Sequence, residues 1–154
     1  MTLLKGISEA ANILERVSRK QSDHFNQSLT FSKQPAYEEL CDVWQECKMP
    51  NWDGYGALAV DQEAYNTAWR VIESLPFGCP LPSSAGAEPD GHLTLEWHRN
   101  PRWTLSVSIS PEGTLHYAAL LGAEDPRGSC PFFGDISDSL LSLIRRVSGH
   151  DRPC

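Results

Sequence analysis

The chain of 154 residues has no apolar run near the ~20 residues that a membrane-spanning helix needs. Its opening, Met1-Thr2-Leu3-Leu4-Lys5-Gly6-Ile7, soon meets Glu9 and Glu15 and lacks the unbroken apolar core of a secretory leader. A cytoplasmic protein without a membrane segment is therefore expected. No Cys-x-x-Cys, His-x-His or His-x-x-x-His occurs, nor a Gly-x-Ser-x-Gly or a glycine-rich phosphate loop. Those absences remove the common zinc spacings, the α/β-hydrolase nucleophile and the usual nucleotide cradle. No cofactor or metal is called for by such patterns. The cysteines Cys41, Cys47, Cys79, Cys130 and Cys154 are odd in number and irregularly spaced. Reduced, mostly buried thiols are expected rather than a disulfide framework, with Cys79 and Cys130 placed in loops. No internal repeat is present.

Positive charge is also scarce: 13 Lys and Arg stand against 20 Asp and Glu, a net −7. The imbalance is uneven. Residues 1–34 hold Lys5, Arg16, Arg19, Lys20 and Lys33 against Glu9, Glu15 and Asp23, a net +2, which leaves −9 on the rest. An acidic body repels phosphate and argues against direct nucleic-acid binding. It suits a basic or nucleic-acid-binding protein as partner, and equally serves solubility. With 40% apolar and 21% charged residues, one soluble domain with a real core is expected.

What is present is periodicity. Leu3, Ile7, Ala10, Ala11, Leu14 and Val17 share a helical face, which predicts an N-terminal helix over 3–20. Residues 21–34 read as a polar connector, so 1–34 form a helical arm. The arm can dock on its own domain, on a second copy to give a homodimer, or in a partner's groove. Pro35 suits the first turn of the next helix. There Tyr37, Leu40, Cys41, Trp44 and Cys47 make the apolar stripe and Glu38, Glu39, Asp42 and Glu46 an acidic one. Asp61 is an apt N-cap for a further helix carrying Ala64, Tyr65, Ala68, Trp69 and Ile72. Residues 76–91, rich in Pro and Gly, read as a long loop.

Strict alternation follows: Leu93, Leu95 and Trp97, then Trp103, Leu105, Val107 and Ile109, then Leu115, Tyr117, Ala119 and Leu121. These are three strands joined by short turns, hence an antiparallel meander. After a loop over 122–134, Ile136, Leu140, Leu141, Ile144 and Val147 mark a last helix from about Ser137, and 148–154 a frayed tail. The fold class is α+β. Helices cover one face of a three-stranded antiparallel β-meander, hiding Trp44, Trp69 and Ile144, with the arm preceding a domain over 35–147.

Between two helices lies Asn51-Trp52-Asp53-Gly54-Tyr55-Gly56-Ala57. Its glycines demand a special backbone path, Asp53 can cap local N–H groups, and Trp52 and Tyr55 are expected to pack over the end of the sheet. A structured turn accounts for the motif; a recognition corner joining Asp53, Tyr55 and Glu96 is the alternative. On the polar side of the meander, Glu96, His98 and His116 share a face with Ser106 and Ser108. If they converge in a pocket, they give an acid–base or metal-dependent hydrolase; splayed on a flat face, they are solvated or touch a partner.

The corner Asn51–Ala57, the strand Asp90-Gly91-His92-Leu93-Thr94-Leu95-Glu96-Trp97 and the segment Gly113–Ala119 resemble a family of small bacterial proteins. That family has a Trp-Asp-Gly-x-Gly-Ala corner and an Asp-Gly-x-x-x-Leu-Glu-Trp strand. Pro131-Phe132 and the Ile136–Val147 pattern are similar to its ending. The resemblance covers about residues 40–147 and implies one continuous domain of bacterial or mobile-element origin. It implies no activity. This chain departs from the pattern at Ala123–Ser129 and in the N-terminal arm.

Together these readings favour a non-enzymatic acidic binding module. Its expected contacts are Trp52, Asp53, Tyr55, Glu38, Glu39, Asp42, Glu46 and Glu96. A defence-system inhibitor of anti-CRISPR type, and an antitoxin or immunity protein, are concrete forms of that expectation.

Overall fold

The computed structural model describes residues 2–149, with side chains described for 10–23 and 31–149. The expected roles of Leu3, Ile7 and the tail beyond Gly149, including Cys154, lie outside that description. The elements are α1 (Thr2–Cys47), α2 (Gln62–Ser74), β1 (Ser84–Ala87), β2 (Leu93–Asn100), β3 (Trp103–Ile109), β4 (Thr114–Leu121), β5 (Arg127–Pro131) and α3 (Asp138–Ser148). The class is α+β, but the meander has five strands in the order β1-β2-β3-β4-β5, all antiparallel, not three.

The two added strands are the edges. β1 lies inside the stretch expected to be wholly irregular, and β5, which carries Cys130, inside the expected 122–134 loop. Neither alternates in hydrophobicity, because an edge strand of four or five residues buries little. Small residues build β1, and Pro131 sits at the end of β5, where a missing N–H breaks no ladder.

The helices also differ in number. The expected arm helix, connector and second helix are one element, α1, with Pro35 inside it. Residues 21–34 contain no Gly or Pro, so their polar side chains lower helix propensity without stopping it. Pro35 removes one N–H from the ladder. Burial of Ala36, Tyr37 and Leu40 just beyond it offsets that loss. The chain divides into two compact units, Met1–Gln34 and Pro35–Cys154.

In the second unit the core forms as the period-two pattern requires. Leu93, Leu95, Leu105, Val107 and Ile109 are fully buried, with Trp97 and Leu115 nearly so. Against them pack Leu40, Val71, Ile72, Leu140, Ile144 and Val147 from the three helices. Trp97 Nε1 donates to the Pro80 carbonyl at 2.9 Å, which ties down the proline-rich segment. Trp44 is half-buried, and Trp69, expected to be hidden, is 38% exposed. Trp69 instead stacks on Tyr37 at 4.2 Å between ring centroids, while Trp44 stacks on Tyr65 at 4.9 Å. An aromatic seam thus joins α1 to α2 near the surface. The caps are sequence-local: Asp61 accepts from Glu63 N–H, Ser137 accepts from Leu140 N–H, and Gly149 closes α3 at φ 73°. No helix among the described residues is long and apolar enough to cross a membrane.

Candidate functional site

The corner and the β1–β2 turn form one local structure. Asn51 takes φ 61° and its side-chain oxygen accepts from Gly56 N–H at 2.8 Å. Asp53 Oδ1 accepts from the N–H groups of Tyr55 (2.8 Å) and Ala57 (3.1 Å). Those two backbone bonds hold its carboxyl below the ordinary carboxylate range. Trp52 Nε1 donates to the Leu58 carbonyl at 2.9 Å, bracing the far side of the corner. The strand of chain leaving it then grips the turn Glu88–His92. Leu58 N–H donates to Pro89 O at 2.8 Å and Asp61 N–H to Gly91 O at 3.1 Å. Gly91, at φ +91°, lies so close that a Cβ there would stand 3.1 Å from the Ala59 carbonyl oxygen.

That grip carries chemistry. Glu88, Asp90 and His92 each offer a ligand atom, and the three atoms lie within 4.8 Å of one another. Alternate residues of a tight turn account for this, since Glu88 N–H donates to His92 O and Gly91 N–H to Glu88 O. His92 Nδ1 is 3.9 Å from Asp90 Oδ2 and 3.3 Å from Ser108 Oγ. The Thr94 hydroxyl donates to Glu88 Oε1. The His116 ring lies nearly parallel to that of His92, with centroids 6.3 Å apart. Glu112 sits near both imidazoles. Its carboxyl is lowered mainly by its own backbone N–H and by the Ser110 hydroxyl, with a smaller contribution from the two histidines.

Beside this cluster the open face of the sheet holds a shallow depression of about 370 Å³. Glu88, Thr94, Glu96, Ser106, Ser108 and His116 are among its lining residues. The trio Glu96, His98 and His116 does not converge within it. In register, His98 pairs with Thr104, Glu96 with Ser106, and Ser108 with His116, so the three occupy three different cross-strand rows. His116 is also two strands from β2, roughly 10 Å away. Glu96 accepts from Ser106 Oγ at 3.1 Å and is exposed, as is His98.

The other sequence-predicted residues are dispersed. Tyr55 is 94% exposed and does not pack over the sheet as expected, because the positive-φ glycines on either side turn it outward. Trp52 is half-buried against the core, and the chain leaving the corner bonds to Pro89 and Gly91 rather than to Glu96. Glu38, Glu39, Asp42 and Glu46 are exposed on α1, with Glu39 reaching Ala85 N–H at 3.5 Å. In the first unit every described side chain from Ala10 to Asp23 is exposed, including Ile13 (57%), Leu14 (70%) and Val17 (49%). Sequence reasoning missed Glu88, Asp90 and His92. The available signal was three ligating residues at alternate positions around an Asp-Gly turn, straddling the end of the 76–91 stretch read as loop and the strand that follows it.

Comparison of the chain with known protein families, curated proteins and solved structures found no match. The motifs of the corner and of β2 therefore bring no role to their residues from outside.

Proposed function

We propose that the chain is a non-enzymatic, acidic, cytoplasmic protein-binding module whose partner is a basic or nucleic-acid-binding protein. One observation carries the reading: α1 leaves Ile13, Leu14 and Val17 exposed on a helix whose described side chains over 10–23 bury nothing. An unpacked helix of that composition is marginal in water, and its stability comes from covering the apolar face. Burying the exposed parts of these three side chains would contribute about 3–5 kcal/mol. Association itself costs at least about 4 kcal/mol, so a second contact is required. The exposed acidic residues Glu38, Glu39, Asp42 and Glu46 supply one of the right sign for a basic surface, and Tyr55 offers an exposed aromatic anchor. Inhibition of a defence complex, in the manner of anti-CRISPR proteins, is one form of this function, and an antitoxin or immunity role another.

The test uses the full chain with Leu14→Glu and Val17→Glu. The partner complex should be lost while the protein keeps its folded stability. Unchanged association would remove the arm from the account. A wild-type homodimer that the same substitutions dissociate would assign the arm to a second copy instead.

A further inference from the structure

The β1–β2 turn brings two carboxylates and an imidazole together on backbone that the corner holds fixed. Like charges gathered this closely repel unless a cation balances them. We infer that Glu88, Asp90 and His92 bind a divalent transition-metal cation of the Zn²⁺ type through one nitrogen and two oxygens. The inference stands on these residues alone and does not depend on the partner reading.

Donor chemistry selects the ion. An imidazole disfavours Mg²⁺ and Ca²⁺, which take oxygen ligands, while a mixed nitrogen–carboxylate set suits Zn²⁺ and its neighbours in the first transition row. Bonds of about 2.0–2.2 Å bring ligand atoms to within about 3–3.5 Å of one another. The donors must therefore close by up to about 1.3–1.8 Å from the 4.8 Å limit they now satisfy. Side-chain torsions can supply that, because Asp90 is exposed and Glu88 and His92 are half-buried. The backbone need not move. Leu58 and Asp61 already pin Pro89 and Gly91, and the Asp90 side chain is steadied by His92 N–H at 3.2 Å. Thr94 steadies Glu88 from the neighbouring strand position, the kind of outer support that metal ligands commonly have.

Three protein donors leave coordination positions open. The depression on the sheet shares Glu88 with this cluster and is also lined by His116, so those positions are within reach of water or of a further imidazole. His116 is a candidate for a fourth ligand, and its ring is already aligned with that of His92.

The full-length chain, freed of metal by a chelator, is titrated calorimetrically with Zn²⁺ and separately with Co²⁺, followed by visible absorption. Expected are one Zn²⁺ per chain with micromolar or tighter affinity and a Co²⁺ spectrum without a sulfur charge-transfer band. Glu88→Gln, Asp90→Asn and His92→Gln should each weaken binding by about 100-fold. The first two keep the oxygens that accept from Thr94 and from His92 N–H, so they stay folded, and the proposal stands or falls on them even if the third does not. Absence of saturable binding below millimolar Zn²⁺ would overturn it. So would unchanged affinity in the two carboxamide variants, or a sulfur band assigning the ion to cysteine.

Discussion

Replacing Gly91 by Ala tests the joint between the corner and the turn. Two costs add. A residue with a Cβ at φ +91° is strained, at about 1–2 kcal/mol for left-handed backbone. The new methyl would also stand 3.1 Å from the Ala59 carbonyl oxygen, a backbone atom that cannot swing aside. Relief must come from separating the two segments. That stretches the Leu58–Pro89 bond of 2.8 Å or the Asp61–Gly91 bond of 3.1 Å, each worth about 1 kcal/mol. The sum is a loss of about 2–3 kcal/mol, or roughly 5–10 °C in Tm for a chain of this size. Guanidinium denaturation should show a lower midpoint at unchanged slope. Gly86→Ala is the internal control: its φ is not positive and no atom stands within 4 Å of the added Cβ. It should change stability by less than about 0.5 kcal/mol. If Gly91→Ala is as harmless as Gly86→Ala, the turn is not clamped and the rigid backbone invoked for the cation site is absent.

The core, the corner and the arm give further predictions. Trp97→Phe leaves the Pro80 carbonyl without its indole donor and a void beside Leu95, so denaturant unfolding should report a loss of about 2–4 kcal/mol. Asp53 has a folded pKa below its ordinary value of 3.8. Its contribution is therefore complete above that value and lost as pH falls through the folded one. Tm of the wild type should drop more steeply than that of Asp53→Asn below about pH 4, and parallel curves would contradict the assignment. Leu14→Glu with Val17→Glu should shift the unfolding free energy of the isolated chain by less than about 0.5 kcal/mol, because both side chains are already exposed.

The interior was legible because burial imposes a period. Leu93 to Trp97, Leu105 to Ile109 and Leu115 to Leu121 alternate, and the same residues line the core. The cap at Asp61 was legible because it satisfies an N–H two residues on, while Ser137 was read only as the approximate start of the last helix and its bond from Leu140 N–H came from the structure. Edges and surface were not. β1 and β5 bury too little to leave a pattern, so Ser84–Ala87 read as loop. Pro35 pointed to a helix start, and only packing of Ala36, Tyr37 and Leu40 explains why one helix runs past it. Glu96, His98 and His116 were grouped by face alone; register separates them. Glu88, Asp90 and His92 meet through turn geometry, which depends on the grip from Leu58 and Asp61, some 30 residues earlier in the chain.

Recovery of the tagged full-length protein from its native cells, in parallel with the Leu14→Glu, Val17→Glu variant, reaches the functional claim most directly. A basic protein should be retained in stoichiometric amount by the wild type and be absent from the variant. A wild type recovered alone as a monomer, or a companion held equally by both proteins, would contradict it.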